Sequence, residues 1–178
     1  MNAELIEDPV LKCRYRFSPR GEVLGMELWA DPGADTPEHY HPPLEERFEV
    51  LEGEFTFTVE GAEQTARPGD RLVVPPGTRH KFANPGSEVA RFRCEIEPAL
   101  KMKMFFEESA ALARAGKYRL LSGRALPTGP GAVLEMADFT ERFADVNVLS
   151  SPPRLVQRIV LSPAARLQQR RLRSRAGD

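Results

Sequence analysis

Histidine is scarce in this chain, with His39, His41 and His80 the only three in 178 residues. Cysteine is scarcer: Cys13 and Cys94 are too few for a disulfide framework. Charge of one sign is also missing, because 25 basic residues against 26 acidic ones leave a formal net charge of −1. No global field therefore recruits nucleic acid or an anionic membrane. No apolar run approaches the ~20 residues of a spanning helix. The start, Met1 to Pro9, carries acidic residues where a signal peptide needs a basic start and an apolar core. The expectation is a cytoplasmic protein, long enough for one good domain and an extension.

What is present changes character near Pro98. Before it, short apolar alternations are separated by turns: Arg14 to Phe17, Val23 to Ala30, Phe48 to Leu51, Phe55 to Val59, Arg71 to Val74, His80 to Ala83 and Val89 to Ile96. Closely spaced strands of this kind indicate an antiparallel sandwich or barrel. After Pro98 the pattern turns helical. Ala99 to Ala115 is rich in helix formers and is closed by Gly116, Ser122 to Gly131 reads as a polar linker, and Ala132 to Ala144 reads as a second helix. Ser151-Pro152-Pro153 opens a third, Arg154 to Arg173, with Leu155, Val156, Ile159, Val160 and Leu167 as its apolar stripe, interrupted near Pro163. These short amphipathic helices need a surface to cover, and the outside of the barrel or a partner subunit would supply one. The locally basic end, Arg166 to Arg175, reads as a solvated face.

The histidines are placed where a metal site would need them. His39 and His41 form a His-x-His pair, and residues two apart on a strand face the same side. Glu46 follows a proline-containing kink and can add a carboxylate oxygen. His80 arrives after Val73-Val74-Pro75-Pro76-Gly77, from a second hairpin folded against the first. Burying such groups without an ion would cost a few kcal/mol each.

Written as spacings, the segments are Gly33-x5-His39-x-His41-x4-Glu46-x6-Gly53 and Gly69-x5-Pro75-x-Gly77-x2-His80-x3-Asn84. They resemble the two motifs of the cupin superfamily, over about Val10 to Pro98. The resemblance implies a mainly β fold, a double-stranded β-helix or jelly-roll barrel over residues 10–98, followed by a C-terminal α-helical extension over 99–178 that is not an independent domain. It implies one divalent metal ion held by His39, His41, Glu46 and His80, and a homodimer formed through an edge strand, for which the segment before Arg14 is a candidate. The glycines have reasons of their own: Gly53 separates two alternating runs and suits a positive φ in a tight turn.

Three imidazoles and a carboxylate suit Fe, Mn, Ni, Co or Zn, and affinity order does not choose among them. Period-two phasing puts Glu46, Phe48 and Val50 on one face, Phe55, Phe57 and Val59 on another, and Phe92, Cys94 and Ile96 on a third. Phe48, Phe57, Phe92 and Cys94 are therefore expected to line a mostly apolar pocket for a small organic ligand or substrate. Cys94 reads as a small buried hydrophobe. The phase Met26, Leu28, Ala30 is the core assignment for its strand, which turns Glu27 outward.

No catalytic acid or base is identified, since every histidine is committed to the metal. Two classes of function follow. One is a metal-dependent enzyme acting on a small organic molecule as an oxygenase, isomerase or lyase. The other is a non-catalytic binding or sensing module in which the metal anchors the ligand. A DNA-binding regulator is disfavoured, because no compact helix-turn-helix is legible.

Overall fold

The computed structural model describes residues 5–151, 162–170 and 173. Ten strands precede the first helix: β1 (Ile6–Asp8), β2 (Cys13–Arg20), β3 (Val23–Ala30), β4 (His39–Tyr40), β5 (Glu45–Glu52), β6 (Phe55–Val59), β7 (Ala62–Ala66), β8 (Arg71–Val74), β9 (His80–Ala83) and β10 (Ala90–Glu97). Then come α1 (Met102–Arg114), β11 (Tyr118–Leu121), β12 (Arg124–Pro127), α2 (Pro130–Arg142) and β13 (Val148–Leu149). Residues 162–170 are also helical. The fold is thus mainly β with a C-terminal helical part.

A six-stranded sheet, ordered β1-β2-β3-β10-β5-β8, faces a five-stranded sheet ordered β13-β4-β9-β6-β7. All strand pairings are antiparallel, as short turns between successive strands favour. The expected phases hold except at the end of β6, where Thr58 is buried and Val59 half-buried. Met26, Leu28 and Ala30 are buried, as are Phe48 and Val50, Phe55 and Phe57, and Phe92, Cys94 and Ile96. Five phenylalanines, Phe48, Phe55, Phe57, Phe82 and Phe92, pack with ring centroids 5.0 to 6.2 Å apart in tilted and edge-on pairs. These geometries suit the aromatic quadrupole. Glu27 faces outward and pairs with Arg91, while Glu49 pairs with Arg93. Partly exposed pairs of this kind contribute ~0–1 kcal/mol each.

The two turns that deliver the site are fixed by particular residues. Asn84 donates from Nδ2 to the carbonyls of Ala30 (2.9 Å) and Glu88 (2.8 Å) and accepts the Gly86 N–H at Oδ1 (2.9 Å). One side chain thereby satisfies three backbone groups at the end of β9. Across from it, the Gly77 N–H donates to the His41 carbonyl (2.8 Å), so the turn before His80 is bonded to the backbone of another histidine.

The C-terminal part lies against the barrel. Phe106 of α1 meets Tyr15 and Phe17 of β2 at 5.2 and 5.6 Å, and Phe105 meets Phe139 of α2 at 5.2 Å. Met102, Phe143 and Val146 join the same buried cluster as the barrel residues. Pro130 opens α2 at its first turn, where a missing N–H costs nothing.

One expectation is corrected here. The polar linker over Ser122 to Gly131 is largely structured: β12 pairs with β11 around Ser122 and Gly123, both at positive φ (50° and 70°). That is the backbone of a tight hairpin turn, and four-residue strands leave too little periodicity to announce it. The segment before Arg14 forms β1, which pairs on β2 and is itself an edge strand of the six-stranded sheet. β13 returns to the barrel and pairs with β4, Leu149 opposite His39; a two-residue strand has no pattern to read. The apolar stripe expected at Leu155, Val156, Ile159 and Val160 lies outside the described residues. Pro163 falls in the first turn of the run 162–170, a position that suits it, and Leu167 in that run is 46 % exposed.

Gly53 gives a direct test of the barrel turns. Its φ is +71°, and a Cβ there would sit 2.8 Å from Ala90 Cβ and 2.9 Å from Ala90 Cα. Gly53→Ala should destabilise the fold by about 2–4 kcal/mol, combining left-handed strain with a clash against a fully buried neighbour. A lowered urea midpoint at unchanged m-value is the expected readout, and an unchanged midpoint would contradict the assigned turn.

Candidate metal centre

Each ligand candidate is delivered by a different local device. His39 lies on the two-residue β4 and His41 just beyond it, ahead of Pro42-Pro43. Glu46 shares the inward phase of β5 with Phe48 and Val50. His80 opens β9 directly opposite His39. The ring centroids of His39 and His80 are 4.4 Å apart, those of His39 and His41 4.9 Å, and those of His41 and His80 5.4 Å. One ligand nitrogen from each ring lies within 4.8 Å of the others, a group able to hold a metal ion. Glu46 Oε2 comes to 2.8 Å from His80 Nε2 and 3.4 Å from His41 Nε2.

The other nitrogen of every ring is already engaged. His39 Nδ1 lies 2.8 Å from the Pro37 carbonyl, His41 Nδ1 2.7 Å from that of Val146, and His80 Nδ1 3.0 Å from that of Thr78. A carbonyl oxygen only accepts, so each Nδ1 carries the hydrogen. In the neutral rings Nε2 is then a lone pair, and the backbone bond fixes both tautomer and ring direction, as it does around metal-ligating histidines.

This arrangement is unfavourable without a positive species at its centre. His41 Nε2 and Glu46 Oε2 are buried and have no aligned hydrogen-bond partner among the described residues. At 2.8 Å, a neutral His80 Nε2 and the Glu46 oxygen would oppose two lone pairs. Burial pushes the Glu46 carboxyl up, yet His41 and His80 outweigh it and hold Glu46 well below the usual carboxylate range. Burial also pushes His41 down, but the neighbouring charge of Glu46 leaves His41 raised. His39 is held well below its usual value, by burial first and then by the two neighbouring rings. The cluster is thus an anion beside three imidazoles, two of them buried, and a bound cation fits it.

The cluster opens on a cavity of about 120 Å³. Its barrel wall includes Met26, Leu28, Phe48 and Phe82, and its other wall is aromatic and helical, with Phe105, Phe106, Phe139 and Phe143. Of the four residues expected to line it, Phe48 does so. Phe57, Phe92 and Cys94 do not: the two rings pack behind Phe48 at 5.2 Å each, and the Cys94 thiol is buried in the barrel, which pushes it well above its usual value. Period-two phasing identifies the inner face but not which part of that face a cavity reaches.

The sequence reading missed the helical wall and Ser109 and Tyr118, which also line the cavity. Phe139 on α2 and Phe143 at its C-cap, four residues apart, carried a signal for the wall. Nothing local marked Tyr118 or Val146.

An antiparallel double-sheet barrel holding a histidine cluster of this spacing defines a class, and comparison with known proteins agrees. Residues 29–96 match the cupin domain family. Residues 29–96 are thus a cupin domain within the chain. It is 37% identical over 67 residues to polyketide synthase CurC of Streptomyces cyaneus, covering 38% of this chain and 44% of that protein. It is 34% identical over 67 residues to the tetracenomycin polyketide synthase protein TcmJ of Streptomyces glaucescens, covering 38% and 45%. The matched region is thus less than half of these curated relatives. Among solved structures, an RmlC-like cupin from Shewanella frigidimarina superposes with a TM-score of 0.52 at 24% identity, over 57% of this chain and 88% of that one. That likeness concerns the fold.

The titrations of the cluster give a signed expectation for the metal-free chain. His39, with its folded pKa depressed, stabilises fully above 6.5 and loses that contribution as pH falls below it. His41, with its folded pKa raised, contributes fully below 6.5 and loses it as pH rises through the folded value. Glu46, depressed, adds a loss below 4.5. The cluster's contribution to the urea midpoint should therefore peak near pH 6.5. Glu46→Gln should flatten the alkaline side, and an alkaline decline that survives this change would contradict the coupling.

Proposed function

We propose that this cupin holds one divalent transition metal ion through His39, His41, Glu46 and His80, and acts through it on a small, largely apolar organic molecule. The observation that carries the reading is the set of three Nδ1–carbonyl bonds, which directs Nε2 lone pairs and a buried carboxylate to one point beside an apolar cavity. The donor set, three nitrogens and an oxygen, suits Fe, Mn, Ni, Co or Zn, and four protein ligands leave room for exogenous ligands on an octahedral ion. Such an ion would supply Lewis acidity or, if redox-active, a centre for oxygen chemistry. The chain's own residues orient the ligand: the phenylalanines exclude water, and Glu46 offsets the positive charge.

An enzyme of oxygenase, isomerase or lyase type is the reading best supported. Its support is the intact ligand set at the edge of a cavity, together with relatives whose names place them in polyketide synthesis. Polyketide products present the apolar bodies and oxygen-bearing heads that this cavity would accept. A non-catalytic binding module is the second reading, favoured by one observation: among the described residues, all three histidines belong to the cluster, and no further imidazole serves proton transfer.

Purification without a histidine tag or added metal, followed by elemental analysis, tests the first claim. About one iron, manganese, cobalt, nickel or zinc per chain is expected, with loss in both His39→Ala and His80→Ala. Sub-stoichiometric metal that is equal in all three proteins would remove the basis of the proposal.

A further inference from the structure

The cavity has a second polar place, far along the sheet from the histidines. Asp8, on β1, is almost wholly buried. Its Oδ1 accepts the N–H groups of Val10 (3.0 Å) and Leu11 (2.9 Å), and its Oδ2 accepts the Tyr118 hydroxyl at 2.9 Å. Three donors and no acceptor converge on it, as suits an ionised carboxylate. In the order β1-β2-β3-β10-β5, four strand spacings separate Asp8 from Glu46, roughly 19 Å along the sheet. Tyr118 nevertheless lines the same cavity as the histidines, as does Ser109, whose Oγ lies 3.5 Å from the Tyr118 oxygen.

The direction of the Asp8 bond decides what this place can recognise. A phenol has one hydrogen, and that of Tyr118 is committed to a carboxylate that cannot donate back. The Tyr118 oxygen therefore faces other partners as an acceptor, made more electron-rich by the adjacent charge. Ser109, on α1, is close enough to act as an adjustable second hydroxyl. Leu112 and Phe106, from the same helix, supply apolar surface around the pair.

We propose that Tyr118, with Ser109 beside it, is a subsite that accepts a hydrogen bond from a hydroxyl on the end of the ligand remote from the histidine cluster, and that Asp8 is the residue positioning it. The ligand class is then an apolar molecule that carries a hydroxyl. The inference rests on the reading that the cavity holds an organic ligand, but not on the metal.

The test uses two near-isosteric probes, 2-naphthol and 2-fluoronaphthalene, titrated by NMR into the metal-free chain of 178 residues. The wild-type chain should prefer 2-naphthol by about 5- to 10-fold, the value of one hydrogen bond. Tyr118→Phe should lose that preference while holding the fluorinated probe as before, and Glu46→Gln should retain it. Asp8→Asn supplies a second variant in which the amide oxygen still caps Val10 and Leu11. The amide N–H₂ then faces Tyr118, releasing the phenol hydrogen as a donor, so the preference should shrink with binding of the fluorinated probe unchanged.

Equal affinity for the two probes in the wild-type chain, or a preference that survives both Tyr118→Phe and Asp8→Asn, would overturn the subsite. A preference lost only in Glu46→Gln would move hydroxyl recognition to the histidine end, overturning the subsite and leaving the metal reading intact. Failure of both probes to bind would count against the cavity as a ligand site and overturn both readings of it.

Discussion

Three backbone carbonyls, those of Pro37, Thr78 and Val146, hold this structure's chemistry in place. Imidazole is symmetric enough to present either nitrogen, and a ring free to rotate would present neither reliably. Bonding each Nδ1–H to a carbonyl removes that freedom and leaves three Nε2 atoms facing inward. Two of the carbonyls lie two residues before their own histidine, so those clamps are local. The third comes from 105 residues away in the chain. His41 therefore depends on α2 and the turn after it, and the C-terminal part belongs to the site through that one bond as much as through its aromatic wall.

The same constraint explains the charges. Glu46 is 4 % exposed, in a barrel filled with phenylalanine, where an isolated carboxylate would take up a proton. It is instead held ionised by His41 and His80. Without an ion, only protonation of an imidazole could supply positive charge beside it; a divalent ion would supply more and would satisfy three nitrogens at once. Apolar walls strengthen this preference, because they leave the cluster little solvent to turn to.

How much of this is legible in the sequence depends on whether the contact is local. The candidate ligands are legible because His-x-His on a strand, a carboxylate on the inward phase of the next strand and a histidine behind Pro-Pro-Gly are short-range patterns with physical meaning. Barrel strands are legible because Val23 to Ala30 or Phe55 to Val59 alternate over several residues. The clamp from Val146 is not legible, because a backbone carbonyl has no residue type. The β11–β12 hairpin and β13 are too short to show a period, and so part of their sequence reads as linker. Phe57, Phe92 and Cys94 have the right phase and lie on the inner face, yet the cavity stops at Phe48; depth along a face is set by tertiary packing, which no periodicity encodes.

Chain order ties the helices to the site. The barrel motif ends near Pro98, and the chain beyond it could have been a separate appendage. Instead β13 extends the sheet that carries His39, Val146 fixes His41, and Phe105, Phe139 and Phe143 roof the cavity that the histidines open on. Any ion that locks the three Nε2 atoms also holds His41 in the orientation Val146 needs. The energetic link runs both ways: a ligand packed between the barrel and the helices would favour the docked position of α2, and the docked position completes the site. Linkage of this kind requires only that the ring and the helix share a bond in one arrangement and lack it in the other. The helical extension is therefore better described as the second wall of the cavity than as a cover laid over a finished barrel.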